Sequence, residues 1–248
     1  MKNRTRADEA VFRQGLTQSR EQAKRLIMAG QVAFAGEPSR KVMKPGQQCD
    51  PDVKLVVLEA EKYVSRGAYK LLTLLDGLKL DVKDKICLDA GASTGGFTEC
   101  LLQRGAARVY AIDVGKNQLH EKLRADPRVI SHEGINLRYA PADLVPEKID
   151  LMTGDVSFIS LTLILPSCMP WLAPNASLAL LIKPQFELSP KYIHKGIVRD
   201  EAARKMAIDK VISFCVDNLR LAFAGVLPSS IKGPKGNQEY MALFHKNY

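Results

Sequence analysis

Between Ile86 and Thr98 the chain reads ICLDAGASTGGFT. An apolar run ends on an acid, Asp89, and gives way to Gly, Ala, Ser and Thr before a helical pattern resumes after Phe97. This is the form of a buried strand, a tight turn and a helix N-terminus, where backbone N–H groups can meet a polar ligand. Gly91, Gly95 and Gly96 permit close approach and positive φ, and Ala92, Ser93, Phe97 and Thr98 complete the turn. The spacing is G-x-x-x-G-G rather than the G-x-G-x-x-G of dinucleotide binders. The expected ligand is therefore a nucleoside-type cofactor without a pyrophosphate, S-adenosylmethionine above all; a Gly-rich turn with no ligand is the competing reading. Asp113 lies 22 residues after Gly91 and closes the next apolar run, where a carboxylate can accept both hydroxyls of a cofactor ribose. Val114 adjoins it, and Asn136 is placed near the adenine edge. Asp155 and Lys183 likewise follow apolar runs at 149–153 and 178–182.

Methyl transfer from a sulfonium is an in-line displacement, so catalysis consists largely of aligning an oxygen with the methyl carbon. A ribose hydroxyl is a weak nucleophile and needs help losing its proton. A lysine can give that help where burial or a like charge lowers its pKa from about 10.4. The expected kit is two lysines and two acids around one hydroxyl.

The elements that must position these groups alternate. Strands are expected at 86–89, 108–112, 129–130, 149–153 and 178–182, with helices from Gly96 to about Arg104 and from about Asp200 to Leu219. Strands near 221–226 and 240–244 finish the sheet. Alternation of this kind implies an α/β fold, a mostly parallel seven-stranded sheet with helices on both faces. Ligand chemistry then belongs at the strand carboxyl ends, where Asp89, Asp113, Asp155 and Lys183 fall. A further helix is expected up to about Gly77, with Arg66 and Lys70 four apart on one face.

Ahead of this core the composition changes. Residues 1–44 hold ten Lys or Arg against four acids, a net +6 out of +9 for all 248 residues. A basic module before an enzyme-like core suggests a polyanion, most simply nucleic acid. Helices at 6–14 and 18–29, the second capped by Ser19, and strands at 32–34 and 53–58 describe a small α+β unit. The expected division is residues 1–60, a linker at 61–66 and a second domain at 67–248. Five scattered cysteines with no C-x-x-C pair and four histidines with no close pairing indicate neither disulfides nor a metal site. The N-terminus lacks an apolar signal core, and no apolar run approaches membrane-span length, so a cytoplasmic protein without a membrane partner or obligate metal is expected.

Two resemblances sharpen this reading. Arg6, Asp8, Gly15, Leu16, Ser19, Arg20, Ala23, Leu26, Ile27, Gly30 and Val32 follow a pattern similar to the S-four RNA-binding domain, with Ala7 where leucine is usual. That implies docking on structured RNA through shape and phosphates, with Arg6, Arg20, Lys24 and Arg25 at phosphates; Arg66, the last residue of the expected linker, is a further RNA-binding candidate. Lys70, Asp155, Lys183 and Glu239 match in order the K-D-K-E tetrad of the FtsJ-like RNA ribose 2′-O-methyltransferases. The phrases SRGAYKL, LDAGASTGGFT, GDVSFISL, LIKPQFE and KGNQEY make essentially the whole chain resemble the TlyA family, which methylates rRNA and carries a historical haemolysin label. The resemblance implies a Rossmann-like S-adenosylmethionine-dependent enzyme acting on a cytidine of ribosomal RNA, in the large subunit or in both. Lys183 leads as the activating group, with Lys70, Asp155 and Glu239 positioning it. The partner would be ribosomal RNA or a ribosomal subunit, and the enzyme a monomer. A pore-forming cytolysin and an inactive RNA-binding protein are the two other readings.

Overall fold

A computed structural model of the protein describes residues 4–58 and 62–247. The chain divides into two compact units, Met1–Lys62 and Tyr63–Tyr248. In the first, β1 (Thr5–Arg6), α1 (Ala7–Arg13), α2 (Arg20–Met28), β2 (Val32–Phe34), β3 (Glu37–Lys41), β4 (Gln48–Cys49) and β5 (Leu55–Val57) follow in order. The Ser19 hydroxyl accepts from Gln22 N–H and caps α2. Ala23 and Ile27 of α2 bury with Val11 and Val32 in a small core. Strand β3 was not expected: all five of its residues are exposed, so it carries no alternation to read.

The linker expected at 61–66 begins in Glu61, which lies outside the described residues. Residues 63–66 belong to the second unit. Tyr63 is buried there with Leu71 and Phe97, and Val64 N–H donates to Glu99 Oε2 at 2.5 Å. A charged, polar look hid an aromatic anchor.

The second unit contains α3 (Gly67–Gly77), β6 (Ile86–Ala90), α4 (Gly96–Gln103), β7 (Arg108–Asp113), α5 (Glu121–Arg124), β8 (Val129–Glu133), β9 (Ile149–Gly154), α6 (Leu161–Cys168), β10 (Leu172–Ile182), α7 (Pro184–Glu187), α8 (Glu201–Ser213), β11 (Leu221–Pro228) and β12 (Tyr240–Lys246). One seven-stranded sheet runs β11-β12-β10-β9-β6-β7-β8. Strands β6 to β10 pair in parallel, while β12 is antiparallel to both β10 and β11. Strand residues alternate between two cores, as a sheet covered on both faces requires. Leu88, Ile112, Met152 and Leu180 face one core with Leu165 of α6 and Val211 of α8. Cys87, Val109, Leu151 and Leu181 face the other with Leu71 of α3 and Leu101 of α4. Neighbours to β6 are β7 on one side and β9 on the other, so the strand order reverses at β6 and opens a crevice at its carboxyl end.

Asp89 sits on the α4 side of β6 and is fully buried. Thr98 Oγ1 donates to its Oδ2 at 2.7 Å and Thr153 Oγ1 to its Oδ1 at 3.2 Å. Burial pushes this carboxyl up to about 7, with the Thr98 bond pulling back and the charge of Asp155 adding to the rise. A carboxyl whose folded pKa exceeds its unfolded value stabilises the fold below the unfolded pKa and loses that contribution as pH rises through the folded one. Asp89→Asn removes this titration and keeps an acceptor for Thr98. Thermal denaturation from pH 5 to pH 8 should therefore show the variant gaining on the native protein as pH rises; a constant difference would mean Asp89 does not titrate in this range.

Candidate active site

The turn after β6 is built by its glycines. Gly91 adopts φ +86°, and a Cβ there would lie 2.7 Å from the Asp155 carbonyl oxygen. The turn can therefore press against the end of β9 only without a side chain. Gly95, at φ +97°, starts α4. Ser93 N–H donates to Asp113 Oδ2 at 2.8 Å and Gly115 N–H to Oδ1 at 2.7 Å. The carboxylate is thus locked across two turns, with further lone pairs available on both oxygens. At the end of β8, Glu133 accepts from the N–H groups of Asn117, Gln118 and Leu119. Those bonds hold its carboxyl below the ordinary range.

A cleft of about 440 Å³ opens over this frame, with Asp113, Val114, Asn136 and Phe158 in its walls. A neighbouring cleft of about 590 Å³ is walled by Gly91, Ala92, Ser93, Gly96 and Phe97 together with Arg66, Lys70, Asp155 and Lys183. A carboxylate for a vicinal diol, apolar walls for a purine and a side-chain-free turn fit S-adenosylmethionine. Three of the expected cofactor residues lie elsewhere. Asp89 and Thr98 are fully buried and bonded to each other beneath the turn, and Gly95 is closed off by Leu119 and Leu123.

The four tetrad residues come from four elements. Lys70 projects from α3, Asp155 follows β9, Lys183 follows β10 and Glu239 precedes β12. The register pairs Ile182 with Tyr240, which sets Lys183 beside Glu239. Lys70 Nζ lies 2.7 Å from Glu239 Oε2 and 3.7 Å from Asp155 Oδ2. Lys183 Nζ lies 2.5 Å from Asp155 Oδ1 and donates to Ser157 Oγ at 2.8 Å. Gln185 Nε2 donates to Glu239 Oε1 at 3.2 Å. Lys70, Lys183 and Glu239 are buried, and Asp155 is partly so. Two ammonium groups and two carboxylates thus meet where the turn ends.

Sequence reasoning singled out neither Ser157 nor Phe158, both of which border these clefts. Phe158 is 91% exposed at φ +64° and its ring meets Phe186 at 5.2 Å. A non-glycine aromatic in that conformation, facing solvent, is uncommon, and nothing in its spacing along the chain announces it. Of the cations on the surrounding loops, Lys232 and Lys235 line the larger cleft.

In the first unit, Asp8 is wholly buried and is gripped by two guanidinium groups. Arg6 donates through Nε and Nη2 at 3.0 Å each, and Arg20 Nε lies 3.2 Å away. Burial would raise the Asp8 carboxyl, but the bonds from Arg6 and Arg20 outweigh it and hold it low. Both arginines keep their outer faces half exposed. Lys24 pairs with Glu21 at 2.9 Å, and Arg25 is exposed one turn after Glu21.

The sheet order and the crevice at its switch point define a Rossmann-like methyltransferase. Fibrillarin of Aeropyrum pernix, solved with bound S-adenosyl-L-methionine, shares the fold at 18% identity and a TM-score of 0.51, over 72% of this chain and 74% of that one. The model of the FtsJ-like methyltransferase family matches residues 63–246. The 16S/23S rRNA (cytidine-2′-O)-methyltransferase TlyA of Mycobacterium tuberculosis is 41% identical over 97% of this chain and 89% of its own. A structure from Streptococcus thermophilus, described as a hemolysin, is 42% identical with a TM-score of 0.75, over 100% of this chain and 90% of that one. The chain belongs to the FtsJ-like methyltransferases and, among them, to the TlyA and hemolysin A-like group. No helix among the described residues is long and apolar enough to cross a membrane.

The contact between Gly91 and Asp155 is open to test. Gly91→Ala forces a side chain onto the Asp155 carbonyl at a strained φ, at a cost of about 1–3 kcal/mol. The melting temperature should fall accordingly; an unchanged value would show that the turn has room to spare.

Proposed function

We propose that this protein transfers a methyl group from S-adenosylmethionine to the 2′-hydroxyl of a cytidine in ribosomal RNA, in the cytoplasm. The observation that carries the proposal is the single Asp155 carboxylate in contact with both lysines at the mouth of the cofactor clefts. When bound, the cofactor supplies an electrophilic methyl carbon on a sulfonium and a neutral thioether leaving group. Asp113 holds the ribose hydroxyls, and the apolar walls at Val114 and Phe158 take the base. Lys183, held by Asp155 and Ser157, meets the acceptor hydroxyl and orients its oxygen for in-line attack; its Nζ gives a proton to the Asp155 carboxylate as it takes up the hydroxyl's, so the amine ends as it began and the proton rests on Asp155. Lys70 and Glu239 fix Asp155 from the other side. Alignment of this kind accounts for much of the rate that such a displacement needs. The relative named for rRNA cytidine 2′-O-methylation supports the same acceptor.

The N-terminal unit supplies affinity rather than chemistry. It has the charge, and the paired guanidiniums of Arg6 and Arg20, to meet RNA phosphates.

With ribosomal subunits and labelled cofactor, the native protein should transfer label to rRNA. Lys183→Ala should lower the rate by at least about a hundredfold while calorimetry shows cofactor binding intact. Retained transfer would remove Lys183 from the mechanism, and no cofactor binding by the native protein would end the enzyme reading. Arg20→Ala should flatten the dependence of log affinity for RNA on log salt by about 0.7–0.9; an unchanged slope would locate the RNA surface elsewhere.

A further inference from the structure

The chemistry described above depends on two loops staying in register. One follows β9 and carries Asp155, Ser157 and Phe158; the other follows β10 and carries Lys183 and Phe186. The last register pair of these two strands is Gly154 with Leu180, so beyond it the loops are joined by side chains. At the front the joint is Lys183 with Asp155 and Ser157. In the middle the rings of Phe158 and Phe186 meet at 5.2 Å. At the back stands Glu187, a buried carboxylate to which the proposed reaction assigns nothing.

Glu187 Oε1 accepts from Leu161 N–H at 2.8 Å, and Ser160 Oγ donates to its Oε2. Leu161 begins α6, so the carboxylate also takes up a helix N-terminal donor that would otherwise lack a partner. Lys210 of α8 donates to the Glu187 carbonyl at 2.7 Å and lies 3.3 Å from Oε2, supplying the counter-charge. Between Lys183 and Glu187 the chain is tightly turned: Phe186 N–H donates to Lys183 O at 2.8 Å and Leu188 N–H to Pro184 O at 3.2 Å. A shift at Glu187 is therefore transmitted to Lys183 with little slack.

We infer that Glu187 is a positioning residue for methyl transfer. It clamps the Lys183 loop to the Asp155–Ser157 loop, and so fixes where the Lys183 amine sits relative to the acceptor hydroxyl. It touches neither cofactor cleft. Its loss should therefore misplace the lysine without weakening the methyl donor's seat. The inference rests on the proposed function for its readout. Misplacement of reacting groups by about 1 Å can lower a rate by about a hundredfold.

The test compares Glu187→Ala and Glu187→Gln with the native protein on ribosomal subunits. Glu187→Ala should lower kcat by about ten- to a hundredfold, with the cofactor Kd from calorimetry and the KM for RNA both within about threefold. Glu187→Gln retains the oxygen for Leu161 N–H and should restore kcat to within about threefold of native. A folded Glu187→Ala protein with native kcat overturns the inference. So does a parallel loss of kcat, cofactor affinity and melting temperature, which is what a merely structural role produces. Should Glu187→Ala not fold, Ser160→Ala removes one tie alone; a native kcat there overturns the inference and a fall in kcat at unchanged cofactor Kd supports it. A native protein that transfers no methyl at all would instead fail the proposed function.

Discussion

The contact of one carboxylate, Asp155, with two ammonium groups governs this structure. Two lysines brought together away from water repel each other and lose hydration, an arrangement that is unfavourable unless acids balance it. Asp155 touches both, and Glu239 neutralises Lys70 on its far side. The cluster is formally neutral, with each member supplied by a different element. Four chain segments must therefore end at one point, and the sheet order is the device that makes them do so. The desolvation that makes the cluster unfavourable for folding is also what, in the proposed reaction, lets fixed charges act strongly on the acceptor hydroxyl.

The same residue joins the cluster to the cofactor frame. Asp155 N–H donates to Ala90 O at 3.0 Å, and its carbonyl is the atom that a side chain at Gly91 would strike. The glycine turn and the charge cluster thus share a wall, so the proposed seats of methyl donor and acceptor are joined by one piece of backbone. Asp113, locked by Ser93 and Gly115, fixes the other end of this frame.

Much of this was legible because the buried strands of a parallel sheet are nearly continuous apolar runs, and a charge directly after such a run stands out. Asp113, Asp155 and Lys183 were singled out that way, and the structure sets them along two neighbouring clefts. Asp89 misled for the same reason. Its side of β6 faces α4, where Thr98 and Thr153 satisfy it, so polarity at a strand end marked an internal bond instead of a cleft wall. Helix α6 was not foreseen: its residues are almost all apolar, and Pro166 inside it argued against a helix. Strand β10 starts at Leu172, earlier than expected, because Pro174 and Asn175 near its start have the composition of a turn. Its pairing with β9 is irregular between Leu172 and Ser177 for the same reason. Ser157, Phe158 and Glu187 carry no spacing signal, since their partners lie on other segments of the chain.

Glu239 shows why chain order alone could not supply the geometry. Strands β6 to β10 run in parallel, so groups reaching the site from them must follow their strands. Strand β12 runs the opposite way, so a group from it reaches the same edge only by preceding its strand. Glu239 does precede Tyr240, and the pairing of Tyr240 with Ile182 sets it beside Lys183. A slip of one residue in that pairing would turn every β12 side chain to the opposite face and exchange Met241 and Leu243 with Ala242 and Phe244 between the two cores. The packing of β12 on both faces of the sheet therefore fixes the register, and the register fixes the acid. The last member of the charge cluster is thus brought to its place by the hydrophobic cores, where its pairing with Lys70 can form.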